Sequence, residues 1–506
     1  MRGAKLTLMG MAVVLASCGG GGGGGGSASQ STGSVVVQPP VVPPPPPPRG
    51  TAIGSATLVP ATLASGASAS TLEPGDMKTL VDASVVLGTT VTSTPVCAVT
   101  TYTLKYHTVD SMAADTDAST AVMVPSGKDP ACQGSRPVLL YAHGTTVQKS
   151  ADMANLSATE PLLIAALFAA QGYIVVAPNY AGYAGSSLGY HAYLDAAQQS
   201  GDMVDALRAA RNAFGAMKAS ASSRLMLTGY SQGGYVALAT QRAMQTGYAG
   251  EFAVTAAAPL SGPYALLLFG DTIFKGAPTV GATGFLPLVI NAGQRAGAAL
   301  YASTADIYEA KYATGIDTLL PGTRGFGALV EAGKLPDDVL FAQDSLPQPS
   351  GYASFYGADH LIKTAYRDAY LADLKASPCN TSAASPLDCA PAQALRRWLL
   401  KNDLRTYTPT VPLFLCGGND DPVVSFTNTR AAGAYFAARG APAVTGLDLE
   451  ETSAAAPYLT TRLEFAAAKE ALRLANKSVQ DSYHAGLVAP FCLREARAFF
   501  DSAANR

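Results

Sequence analysis

Arg224-Leu225-Met226-Leu227-Thr228-Gly229-Tyr230-Ser231-Gln232-Gly233-Gly234 is the stretch on which the reading of this chain turns. Leu225–Thr228 reads as a short buried strand, Gly229–Gly233 fits Gly-x-Ser-x-Gly, and an apolar run with helical character, Tyr235–Gln245, follows. Strand, sharp turn and helix are the setting in which a serine hydroxyl is lifted clear of a sheet to act as a nucleophile. Glycine suits both flanking positions, because a Cβ there would run into neighbouring backbone. Ser231 is therefore the candidate nucleophile. The chain carries 50 glycines, so a chance match is unsurprising, and Gly185-Ser186-Ser187-Leu188-Gly189 is one. No strand runs into that second match, and Ser187 is read as a loop residue.

Working outward, the 506 residues are 48% hydrophobic and 14% charged, with a net charge of −2. That composition supports a large core, and no basic stripe suggests a nucleic-acid partner. Arg2 and Lys5 precede a short apolar run, Leu6–Ala16, which reads as an export signal too short for a comfortable membrane span. It ends in Leu15-Ala16-Ser17-Cys18, which resembles the lipobox of bacterial lipoproteins. The resemblance implies cleavage before Cys18 and lipidation of that cysteine, so that the protein meets the membrane through a lipid anchor only. Residues 1–18 are then a signal peptide. Residues 19–70, with the glycine run Gly19–Gly26 and the proline run Pro43–Pro48, read as a disordered tether. Six further cysteines in an exported chain suggest disulfides, and Cys379 with Cys389 is the expected local bridge.

Beyond the tether, Val85–Val91, Thr100–Thr108 and Thr120–Val124 read as antiparallel strands at the leading edge of a sheet. Val138–Ala142, Tyr173–Ala177, Leu225–Thr228, Phe252–Ala257, Val411–Cys416 and Val444–Leu449 are short apolar runs. Helical stretches at Glu160–Gln171, Ala196–Ala216 and Ala489–Ala504 punctuate them. Such alternation predicts an α/β chain with a mostly parallel central sheet and helices on both faces. Residues 263–410 interrupt the rhythm without an obvious buried strand, and read as a largely helical cap inserted between core segments 71–262 and 411–506. A cap there would cover the carboxyl ends of the strands, where such sheets bind ligands. Asp202, Asp205, Arg208 and Arg211 share one helix at spacings that allow surface ion pairs.

A serine hydroxyl needs a base to take its proton and an acid to orient that base. On a strand–turn–helix elbow of this kind, acid and base follow the serine in the chain. Of the five histidines only His360 and His484 do so, and His360 falls inside the expected cap. His484, in the expected loop Gln480–Ala485 after the last strand and ahead of the terminal helix, is the expected base. The strand Val411–Cys416 runs into Gly417-Gly418-Asn419-Asp420-Asp421-Pro422, where Asp420 and Asp421 compete for the acid role and Asp421 is preferred. A tetrahedral intermediate needs preorganised N–H donors. The backbone of Gln232 is one candidate, and that of Thr145, with Thr146 as the alternative, is the other, in the His143-Gly144-Thr145-Thr146 loop. His143 itself reads as a structural hydrogen bonder. No metal-ligand cluster or phosphate loop is visible, so neither a metal nor another cofactor is expected.

His143-Gly144-Thr145, Pro178-Asn179-Tyr180-Ala181-Gly182-Tyr183, His191-Ala192-Tyr193-Leu194, the elbow, the Asp421 loop and Tyr483-His484 together resemble the α/β-hydrolase superfamily. Within it, the chain is similar to the secretory lipase and esterase branch, whose usual Pro-Asp-Tyr is Pro-Asn179-Tyr here. The resemblance implies a Ser231–Asp421–His484 triad with Thr145 and Gln232 as oxyanion donors. It also implies hydrolysis of a small-molecule or lipid carboxylic ester through an acyl-enzyme. An exported serine peptidase of the same fold and a non-catalytic surface binding protein are the alternatives.

Overall fold

Val138–Ala142, Ile174–Ala177 and Leu225–Leu227 are apolar at every position, the pattern of strands covered on both faces. In the computed structural model, which describes residues 48–379 and 386–504, they form the centre of a nine-stranded sheet. The expected signal peptide, Cys18 and most of the expected tether lie outside the described residues. The strands are β1 (Ala52–Val59), β2 (Ala98–Val109), β3 (Asp115–Ser126), β4 (Arg136–Ala142), β5 (Ile174–Pro178), β6 (Ala221–Tyr230), β7 (Val254–Leu260), β8 (Leu413–Gly417) and β9 (Val444–Asp448). Their spatial order is β1-β2-β3-β5-β4-β6-β7-β8-β9. The first three strands are antiparallel, β3 meets β5 antiparallel, and everything from β5 onward is parallel.

Side-chain alternation splits the interior into two layers of core. Val138, Leu140 and Leu227 face one layer, with Val204 and Leu207 of a helix over Ala196–Ala213 and Val236 of a helix over Gln232–Gly247. Leu139, Tyr141 and Met226 face the other, with Ile164 of a helix over Thr159–Leu167 and Phe491 and Phe500 of a helix over Ala489–Ala504. Residues 263–410 contribute helices over Leu266–Phe274, Ala282–Arg295, Thr364–Ala376 and Ala394–Lys401, and no strand of the main sheet. The first two stand over the carboxyl end of the sheet, within the same continuous core as its outer face.

Three expectations need correction. The tether does not extend to residue 70, because Ala52–Val59 pairs antiparallel with β2. Its small and half-exposed residues give an edge strand little apolar signal. Val85–Val91 is not a strand. Pro74–Ser84 is a helix that starts with Pro at its first turn and buries Met77 and Val81, one turn apart, and Thr89–Thr92 forms another helical turn. The charges on the Ala196–Ala213 helix are not all at the surface either. Asp202 and Asp205 are buried, and Thr108 Oγ1 lies 2.9 Å from a carboxylate oxygen of each. Arg49, from the stretch read as tether, donates to Asp205 at 2.9 Å and closes over this pair.

The six cysteines described form three disulfides: Cys97–Cys132, the expected Cys379–Cys389, and Cys416–Cys492. The last joins the end of β8 to the terminal helix.

Candidate active site

β6 delivers the elbow. Ser231 holds a positive φ of 61° with ψ of −123°, a conformation rare for a residue with a side chain and typical of strained functional turns. The turn is closed by Ser231 N–H donating to Leu260 O at 3.0 Å. A Cβ on Gly233 would overlap the Ala142 carbonyl, which is why the helix can start so close to β4. Ser187, by contrast, lies exposed in a loop, its N–H donating to Asp117.

β8 ends in the loop that carries Asp420 and Asp421. Asp420 is exposed and Asp421 is buried. Asp421 Oδ2 stands 2.7 Å from His484 Nδ1 and accepts from Ser261 Oγ at 3.1 Å, while Oδ1 accepts from the N–H groups of Val423 and Val424 at 2.9 and 3.1 Å. Burial works against the charged carboxylate. The His484 imidazole and these two N–H donors outweigh it and hold the Asp421 carboxyl below the ordinary carboxylate range. Tyr230, the residue before Ser231, donates its hydroxyl to His484 O at 2.5 Å and lies 3.1 Å from Nδ1. Nδ1 thus faces Asp421 Oδ2 and Tyr230 Oη, which orients the ring with Nε2 on its far side. Nε2 is buried with no hydrogen-bond partner among the described residues. His484 does not sit in a loop as expected; it opens a π-helical turn, Tyr483–Val488, that runs directly into the terminal helix. His360 is elsewhere, bonded within the cap to Gly357 O at 3.1 Å.

The loop after β4 is the other half of the site. Gly144 N–H is already taken by Glu160 Oε1 at 2.8 Å, whereas no acceptor among the described residues takes the Thr145 N–H. Thr145 Oγ1 lies 2.9 Å from Tyr193 Oη. His143 stacks on Tyr180 with centroids 4.2 Å apart and reaches Gly144 O and Asn179 O through its two ring nitrogens, in keeping with a structural role. Asn179 donates to Asp152 Oδ1 at 2.9 Å and to Ser119 Oγ at 2.8 Å, which an aspartate could not do. Burial pushes the His191 imidazole down to about 3, so it is neutral. Its Nδ1 meets Ala181 O at 3.2 Å, and its Nε2 accepts from the Gln232 side-chain amide at 2.7 Å.

Ser231, Gln232, Thr145 and Tyr193 open onto one cavity. Its remaining wall includes Leu266, Phe269, Ile273 and Phe274 of the first cap helix, Phe285, Leu286 and Val289 of the second, Leu194, Leu399, and Val423 and Val424 of the Asp421 loop. None of the lining side chains among the described residues is charged. No group of His, Cys, Asp and Glu among the described residues is arranged to hold a metal ion.

The sequence reading missed Ser261, Tyr230, Glu160 and His191 as partners of these residues. His191 and Tyr193 stood inside a quoted motif, but Ser261 and Glu160 carry no local pattern that marks them.

This strand order, with the Ser231 turn after β6, the Asp421 loop after β8 and a helical insertion between them, is the α/β-hydrolase fold. Residues 162–260, a minor part of the chain, match the model of the Prolyl oligopeptidase family. Among solved structures, a ligand-bound form of the rice cell wall degrading esterase LipA from Xanthomonas oryzae superposes with a TM-score of 0.68 at 23% identity, covering 90% of this chain and 100% of that one. A protein of Legionella pneumophila superposes with a TM-score of 0.64 at 18% identity, covering 90% of this chain and 98% of that one. No curated protein matches the chain in sequence. At these identities the likeness fixes the fold and leaves the chemistry to be argued from the site.

Proposed function

We propose that the chain is a serine hydrolase of carboxylic esters, with Ser231 as nucleophile, His484 as general base and acid, and Asp421 as the residue that orients and stabilises the imidazole. The carrying observation is that the strained Ser231 opens onto an uncharged, largely apolar cavity, while Tyr230 ties its elbow to a His484 whose Nδ1 is held by Asp421. Ser231 Oγ attacks the ester carbonyl as Nε2 takes its proton. The tetrahedral oxyanion is met by the N–H of Gln232, which has no intrahelical partner at the first turn, and by that of Thr145. Collapse expels the alcohol with the proton from His484. Water then gives its proton to His484 and attacks the acyl-enzyme, releasing the acid and restoring Ser231. An acyl chain against Phe269, Ile273 and Phe285 contributes about 0.8 kcal/mol per buried methylene, which favours esters of apolar acids.

The test is hydrolysis of p-nitrophenyl esters of increasing acyl length by wild type and Ser231→Ala. The expected result is activity in wild type that rises with chain length and falls by at least about a thousandfold in the variant. Esters left intact by wild type would sink the proposal. We also infer that Cys18 anchors this activity at the cell envelope; the same assay on membrane and soluble fractions should move it to the soluble fraction in Cys18→Ala. The Prolyl oligopeptidase match favours a peptidase as second reading. An uncharged cavity offers no partner for a peptide terminus, and peptidyl p-nitroanilides in the same assay separate the two.

A further inference from the structure

Tyr180, Tyr183 and Tyr193 of the Asn179–Leu194 segment are buried, and their hydroxyls converge on one loop. Tyr180 Oη donates to His143 O at 3.0 Å and Tyr183 Oη donates to Thr146 O at 2.6 Å. Tyr193 Oη meets Thr145 Oγ1 at 2.9 Å. Three hydroxyls from one segment therefore grip three successive parts of the loop that presents the Thr145 N–H. From the same segment His191, neutral and with its Nδ1 proton on Ala181 O, accepts from the side chain of Gln232, whose own N–H is the other donor. The segment is anchored in turn: Asp202 accepts from Ala181 N–H at 2.9 Å, and Asn179 N–H donates to Ser119 O at 2.8 Å.

We propose that Tyr180, Tyr183, Tyr193 and His191 form a single brace that sets the two oxyanion donors, Thr145 and Gln232, at their working separation. They are positioning residues for the reaction, and the inference rests on the ester-hydrolase reading above. An oxyanion site works only if its donors are fixed before the charge develops. A loop with free carbonyls and two consecutive threonines has several ways to turn its peptide planes. Tyr180 and Glu160 hold the His143–Gly144 peptide before Thr145, Tyr183 holds the Thr146 carbonyl after it, and His143 Nδ1 meets Gly144 O of the peptide that carries the Thr145 N–H; together they restrict that freedom. A displacement of about 1 Å in such a donor can cost about a hundredfold in rate.

The test compares Tyr180→Phe and Tyr183→Phe with Tyr173→Phe, which deletes a buried hydroxyl bonded to Asp501 in the remote core layer. For each, kcat and KM on one p-nitrophenyl ester are measured, together with melting temperature and inhibition by an alkyl trifluoromethyl ketone, whose adduct carries the oxyanion. The brace predicts a loss of about tenfold or more in kcat for both site variants, KM within about twofold, and ketone inhibition weakened in step with kcat/KM. Tyr173→Phe should shift only the melting temperature. Folded site variants with kcat within about twofold of wild type, or with unchanged ketone inhibition, overturn the proposal. If either fails to fold, Tyr193→Phe, whose hydroxyl bonds a side chain instead of the backbone, carries the same comparison. Wild type and Ser231→Ala run alongside: an inert wild type defeats the ester reading itself, whereas an active wild type with unimpaired variants defeats the brace alone.

Discussion

Asp421 and Asp420 are adjacent, identical in chemistry, and opposite in fate. Asp421 is buried and accepts from Ser261, Val423 and Val424 while its Oδ2 faces His484; Asp420 is exposed. The sequence could place both one turn past a strand end, and the preference for Asp421 rested on the proline that follows. What separates them in the structure is that the N–H groups of Val423 and Val424, and Ser261 from far away in the chain, all turn toward Asp421. Asp421→Asn keeps the shape but offers Nδ1–H an amide that can turn its own N–H toward the imidazole. It should lower kcat by about 10³–10⁴ with little change in KM, whereas Asp420→Asn should stay within about twofold. Steady-state kinetics on one ester distinguish them, and equal losses would reverse the assignment.

The helix over Ala196–Ala213 shows what a helical pattern hides. Spacing of Asp202, Asp205 and Arg208 is the same for surface ion pairs and for a buried cluster. Burial here comes from β2 and from the Arg49 segment, neither of which is visible in the helix itself. Desolvation raises the Asp202 carboxyl from 3.8 to about 7, helped by the nearby Asp205 and opposed by Ala181 N–H, Thr108 and Arg49. Between those values the folded chain holds a proton that the unfolded chain has lost, so this group makes stability fall as pH rises from about 4 to about 7, and level off above. Asp202→Asn mimics the protonated form. Its melting temperature should gain on wild type across that interval, by about 1 °C for each kcal/mol relieved in a chain of this size, and hold the gain at pH 8. A gain that is the same at pH 4 and pH 8 would contradict the shift. Asp202 also holds Ala181, so this element connects the edge of the sheet to the brace around the oxyanion loop.

For the whole molecule, the central parallel strands and the strand–turn–helix at Ser231 were legible, because each depends on a local apolar run or motif; the roles of serine, acid and base are part of the proposal. The edges were not. Ala52–Val59 joins the sheet with half-exposed small residues, and the Pro74–Ser84 helix hides beside a run rich in valine and threonine. Long-range closure was also invisible: Cys416–Cys492 fastens the strand that leads to Asp421 to the helix that follows His484, across 76 residues of chain. In the proposed reaction Ser231, and not the second motif serine at 187, forms the acyl-enzyme. Intact-mass analysis and peptide mapping after treatment with an alkyl fluorophosphonate test it most directly. The account predicts one phosphonyl group per chain, on the peptide containing Ser231, appearing in proportion to the loss of ester hydrolysis. A label on the Ser187 peptide, or full loss of activity with Ser231 unmodified, would contradict it.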